Sequence, residues 1–187
     1  VASNSNRISV TLDKVPLHLQ KAFIAIEDSS FYDHNGIDII GIMRAGIKGV
    51  LSGFNFRSGA STITQQLIKN TIYEDFVNES QLEKIERKIQ EWYLAIQISN
   101  ELSKNEVLIR YLNTINLGQN TLGVQSAAHR YFGKDVSELN LSECAVIAAI
   151  TKSPTGYNPI TNPEANQKRR QNVLDEMLEL EYITKAE

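Results

Sequence analysis

The sequence predicts an all-α domain, and three observations carry that prediction. Apolar residues recur at intervals of three and four, first as Leu19, Ala22, Phe23 and Ile26, then as Leu82, Ile85, Ile89, Trp92 and Ile96. Helix-start signals stand ahead of apolar runs, as in Thr62-x-x-Gln65 and Asn140-x-x-Glu143. Strand-like alternation is confined to Ile8-Ser-Val-Thr-Leu12, ahead of Pro16.

Each element follows from local chemistry. The first helix carries its apolar face from Leu19 to Ile26 and ends near Asp28. Residues 37–56 are apolar and glycine-rich, with Gly41, Gly46, Gly49 and Gly53 among Ile, Val, Leu and Phe. Thr62 and Gln65 open a helix to about Asn70, and a long helix covers roughly 81–101. Val107, Leu108, Tyr111, Leu112 and Ile115 define the next, which stops before Gly118. A helix over about 123–132 ends at Gly133, and Asn140 and Glu143 cap an apolar one from Cys144 to Ile150. Pro154, Pro159 and Pro163 mark a loop. Asn162 as N-cap and Pro163 at the first helical position then begin the last helix, whose apolar face is Val173, Leu174, Met177 and Leu178. No repeat, low-complexity tract or linker divides residues 1–187, so they read as a single domain.

Composition excludes several classes. With 187 residues, 42% hydrophobic and 22% charged, the chain is neither disordered nor fibrous. One cysteine among three histidines excludes a disulfide framework and argues against a structural zinc site. A net charge of -3 argues against nucleic acid as a partner. No apolar run reaches the roughly eighteen residues that a membrane-spanning helix needs. The polar start from Val1 to Arg7 lacks a signal-peptide layout, and the expectation is a chain cut free of an anchor.

Three segments are richer in polar groups than their periodicity requires. In Glu27-Asp-Ser-Ser-Phe-Tyr-Asp-His34-x-Gly36-x-Asp38, Glu27 follows Ile26 at the edge of a core. Partial desolvation there raises a carboxylate's pKa and suits a proton acceptor. Glu27 and Asp28 also read as surface acids, although acids at a helix C-terminus oppose the macrodipole. In Gly59-Ala-Ser-Thr-Ile-Thr-Gln-Gln-Leu-Ile-Lys-Asn70, small residues before a helix leave N–H groups for an anion or sugar, and paired glutamines can donate and accept. A capped helix with a solvated face reads equally well. In Arg87-Lys-Ile-Gln-Glu91, cations and a carboxylate share one stripe, opposite Ile85, Ile89 and Ile96. Surface ion pairs explain it, and so does a phosphate clamp with Glu91 oriented by Arg87 or Lys88.

Taken in order, EDSSFYDHNGID, GASTITQQLIKN, RKIQEW, the YLN segment with its downstream YFGK, and KSPTGYNP resemble the peptidoglycan glycosyltransferase family (glycosyltransferase family 51). That family supplies the polymerase domain of class A penicillin-binding proteins and the monofunctional enzymes. The matching stretches span about residues 22–160, and the GASTITQQLIKN string is the most specific of them.

The resemblance implies a lysozyme-like large lobe with a small membrane-associated jaw lobe at roughly 37–80. It implies polymerisation of lipid II into β-1,4-linked glycan, with inversion at C1 and release of undecaprenyl pyrophosphate. Glu27 becomes the catalytic base and Glu91 the second carboxylate, assisting departure of the pyrophosphate. Lys69, Arg87 and Lys88 become partners of the pyrophosphate, and Ser61, Thr62, Gln65, Gln66 and Asn70 line the donor side. Asp28 and His34 orient Glu27 and its loop, while Tyr111, Asn113 and Gly118 have a mainly structural role. The family commonly carries an arginine about eight residues before the second Glu; here Glu83 stands there, and either Lys84 beside it substitutes or the longer stretch from Tyr73 to Lys84 brings a different cation. The apolar 37–56 segment, with Arg44, Lys48 and Arg57, becomes a contact with the membrane surface, although periodicity alone reads equally well as an ordinary buried helix. A divalent cation, Mg²⁺ or Mn²⁺, is compatible with pyrophosphate chemistry, but no metal ligands stand out. The implied setting is the outer face of the bacterial cytoplasmic membrane, with room for a C-terminal transpeptidase domain in a longer parent. Two rivals are a lysozyme-like muramidase or lytic transglycosylase, which needs no pyrophosphate cations, and a non-catalytic lipid II- or glycan-binding module.

Overall fold

Three helices begin where the sequence writes a capping box. The structure, a computed structural model, describes residues 6–44, 61–72 and 80–187. Helix α1 is Leu17–Glu27, α2 Ile63–Ile72, α3 Gln81–Glu101, α4 Lys104–Thr114, α5 Val124–Phe132, α6 Leu141–Ile150 and α7 Pro163–Glu179. Residues 39–44 are also helical. Two-residue strands, β1 at Asn6–Arg7 and β2 at Thr121–Leu122, pair in parallel. Thr62 and Gln65 exchange backbone-to-side-chain bonds at the start of α2, Ser80 and Glu83 do so at α3, and Asn140 and Glu143 at α6. Most of the apolar 37–56 segment, with Lys48 and Arg57, lies outside the described residues, as do Gly59, Ala60 and the 73–79 part of the loop before α3.

The chain forms two compact units, Val1–Ser29 with Leu108–Glu187, and Ser30–Val107. In the first, α6 is apolar nearly all round and therefore central. Cys144, Ala145, Ile147, Ala148, Ala149 and Ile150 are buried, with α1 and α7 packed on it and on each other. Leu19, Phe23, Val173 and Met177 complete this core, and burial of each contributes about 1.5–3 kcal/mol. The expected extended segment is present but pairs earlier, at Asn6 and Arg7, and a 3-10 turn at Leu12–Lys14 intervenes before Pro16. Asn113 extends the pairing: its Oδ1 accepts from Val10 N at 3.0 Å and its Nδ2 donates to Val10 O at 2.9 Å. At α7, Asn162 holds the N-cap position without capping; its amide donates to Thr155 O instead.

Burial pushes the Cys144 thiol up to about 12, so it behaves as the small hydrophobe its apolar helix suggests. The native thiol is expected to resist alkylation at neutral pH and to react only after unfolding, which a mass-spectrometric labelling time course reads directly. Its folded pKa lies above the ordinary 9.0, so its contribution to stability is complete below about 9 and is lost as pH rises toward 12.

In the second unit α2 packs on α3, and Ile63, Leu67, Ile68 and Ala95 are buried. Gly36 has φ +85°, and a Cβ there would stand 2.3 Å from the Ala95 carbonyl oxygen. Neither the angle nor the space admits a side chain. Gly36→Ala is expected to destabilise by about 2 kcal/mol or more, read as a lower denaturation midpoint.

Candidate active site

Glu27 is the last residue of α1, where the apolar face ends and the backbone turns away at Asp28, with φ -163° and ψ 71°. Thr151, the residue after α6, donates its hydroxyl to Glu27 Oε1 at 2.5 Å. Asp28 is 7% exposed. Beneath both lies Tyr111, wholly buried and edge-on to Phe23 at 6.0 Å. Its phenol is pushed well above its ordinary pKa by burial first, then by the negative charges of Glu27 and Asp28. The first unit therefore presents two neighbouring acids over an uncharged phenol. Gly118, φ +77°, approaches Pro154, where a Cβ would meet its carbonyl oxygen at 2.8 Å.

The second unit assembles the remaining segments through α3. Glu91 is 2% exposed and is held by two cations of its own helix. Arg87 Nη1 bonds Oε1, and Lys88 Nζ bonds Oε2 at 3.0 Å. Lys88 also donates to Ser61 Oγ at 2.9 Å, tying this cluster to the residue before Thr62. Thr62 Oγ1 donates to Gly36 O at 2.6 Å, and Gly36 rests on α3 at Ala95, one turn beyond Glu91. Two stretches distant in sequence, at Gly36 and at Ser61–Thr62, are thus fixed to one helix. Gln65 is buried, its Oε1 accepting from Thr62 N at 3.0 Å. Gln66 and Asn70 are half-buried, and Lys69 and Lys84 are exposed. His34 is half-buried and edge-on to Phe31 at 6.4 Å; its carbonyl accepts from Lys104 Nζ, which also stands 4.6 Å from the centre of the Phe31 ring. Asp38 is pushed up by burial, but the Gly41 N–H and Ser30 hydroxyl hold it below the usual carboxylate range.

Glu83, at the place where an arginine was expected, accepts from Ser80 N at 2.7 Å and completes the capping box of α3. An acid there also meets the positive end of the helix dipole. The departure from the family pattern has a local structural reason.

A family model described as Transglycosylase matches residues 1–178. The chain belongs to the transglycosylase family. Among relatives of this transglycosylase, penicillin-binding protein 1A of Clostridium perfringens strain 13 is 46% identical over 98% of the chain and 27% of its own length. Penicillin-binding protein 1A of Escherichia coli K12 is 46% identical over 97% of the chain and 20% of its own length. The crystal structure of penicillin-binding protein 1A from Haemophilus influenzae superposes with a TM-score of 0.52 at 27% identity, covering 96% of the chain and 16% of that protein. The chain therefore spans about a quarter or less of these relatives. Its helical architecture agrees with theirs, and its enzyme class is that of a glycosyltransferase.

Two residues that bond to named ones were not among those expected: Thr151 at Glu27 in the first unit, and Lys104 at His34 in the second. Thr151 had one sequence signal, a hydroxyl ending the apolar run Cys144–Ile150. Lys104, which holds the His34 loop, had none. A resident divalent cation does not fit Glu91, because each of its oxygens already takes a cation. Among the described residues no group of three or more His, Cys, Asp or Glu side chains suits a metal.

Proposed function

We propose that this transglycosylase is a peptidoglycan glycosyltransferase that polymerises lipid II. Glu27 takes the proton from the 4-hydroxyl of the acceptor GlcNAc, whose oxygen forms a bond to C1 of the MurNAc at the reducing end of the growing strand. The C1–O bond to pyrophosphate breaks, and undecaprenyl pyrophosphate leaves with the electron pair. An α-linked leaving group is replaced by a β-1,4 link. Asp28 and His34 orient Glu27 and its loop, while Ser61, Thr62, Gln65, Gln66 and Asn70 serve the donor. Lys69, Lys84, Arg87 and Lys88 serve its pyrophosphate.

The observation that carries this reading is the cluster at Glu91. Two cations stand against one buried carboxylate, and both keep partial exposure, 21% and 36% of their side chains. Such an arrangement suits a phosphate-bearing leaving group, with Glu91 holding the cations in place. A muramidase acting on a neutral glycosidic bond has no use for it. The reaction sets the location: lipid II polymerisation occurs at the outer face of the bacterial cytoplasmic membrane, with the 37–56 segment toward its surface and a transpeptidase domain in the longer parent. No described helix is long and apolar enough to cross a membrane.

The test is incubation of the protein with lipid II in detergent, followed by gel separation of the glycan. Polymer supports the transferase. Shortening of preformed glycan without polymer formation establishes the muramidase instead, and binding of lipid II with neither reaction establishes the binding module.

A further inference from the structure

We propose that Thr151 is a positioning residue for Glu27, fixing the direction in which its carboxylate meets the acceptor hydroxyl; this rests on the reading of Glu27 as the base. Glu27 closes α1 and Thr151 follows α6, so the carboxylate lies at the C-terminal ends of two helices. Both dipoles oppose a negative charge there. A donor aimed at Oε1 offsets that opposition and stops rotation of the carboxylate about its last bond.

The hydroxyl is suited to a group that changes charge during a reaction. Thr151 Oγ1 stands 2.5 Å from Glu27 Oε1 and 2.9 Å from Ala148 O. Its single proton therefore has two acceptors, the carboxylate and the carbonyl of the preceding turn. While Glu27 is ionised, the charged acceptor holds the proton. Once Glu27 has taken a proton and become neutral, the hydroxyl can turn to Ala148 O without stranding a donor. A lysine or arginine in the same place would favour the ionised state only and resist the proton transfer.

The test uses the full-length protein carrying this chain, with lipid II in detergent and turnover normalised to folded protein. Thr151→Val keeps the shape and removes the hydroxyl, whereas Thr151→Ser keeps the hydroxyl. Relative to the roughly 10²–10⁴ that positioned base catalysis supplies, Thr151→Val is expected to lower kcat about tenfold with KM within about twofold. Thr151→Ser should restore at least about half of wild-type kcat, since a hydroxyl's bond rather than its methyl neighbour sets the direction. A purely structural role, through the bond to Ala148 O, would lower the thermal midpoint of Thr151→Val and leave kcat per folded molecule unchanged; that result overturns the proposal. So does a Ser variant as slow as the Val variant. Should Thr151→Val not fold, Thr151→Ala read against Thr151→Ser gives the same contrast. Glu27→Gln runs alongside: if it is inactive while Thr151→Val is fully active, only the positioning role falls, and if it stays active, the base assignment itself is wrong.

Discussion

Replacing Glu27 by Gln is expected to lower lipid II polymerisation by at least about a hundredfold while leaving the fold intact, the low end of what a positioned base supplies. The substitution is isosteric, and the new amide oxygen can still accept from Thr151 Oγ1 as Oε1 does. What disappears is the ability to take a proton. Rates of glycan formation at saturating lipid II, compared beside thermal unfolding midpoints, separate that loss from damage to the core under α1. Polymerisation retained within about tenfold would place the base elsewhere, since loss of a true general base costs more.

The second large effect is expected at Glu91. Glu91→Gln removes the charge to which Arg87 and Lys88, four and three residues away, both bond. Breaking a fully buried pair costs roughly 3–5 kcal/mol. Here both cations reach solvent and recover part of that, so about 2 kcal/mol is expected, read as a lower midpoint in denaturant. Lys88→Met should cost less, because Arg87 still neutralises Glu91 while the bonds from Lys88 to Glu91 Oε2 and to Ser61 are lost. A Gln variant as stable as the wild type would show that the carboxylate is dispensable to the fold, and any loss of turnover would then belong to the reaction itself.

The helices were legible because their signals are local. Capping boxes at Thr62 and Asn140, the left-handed Gly133 and the proline at the start of α7 depend on neighbours in sequence. Which face of a helix is covered depends on distant ones. Along α3 the three-four spacing located the helix, yet Leu82, Ile85, Ile89 and Ile96 are exposed while Glu91 and Ala95 are buried. Periodicity cannot foresee that a carboxylate goes inside with two cations closing over it. The same holds for the site: Glu27 and Glu91 were named from motifs, but the hydroxyl that reaches Glu27 comes from 124 positions away. The Ser80–Glu83 box was hidden for another reason, because Glu83 was read against an expected arginine and not as the third residue of a helix.

The first unit is written in two pieces, and synthesis has to respect that order. Helix α1 is complete at Glu27, whereas α6, on which it packs, begins at Leu141. Strand β1 likewise waits for Thr121 and Leu122. As the chain leaves the ribosome, Phe23 waits for Tyr111, and α1 lacks the helix it packs on until Leu141–Ile150 has emerged. Ser30–Val107, made in the meantime, is a compact unit of its own. The unit bearing Glu27 is therefore the later to close, and its closure involves contacts of long sequence separation, which fold slowly.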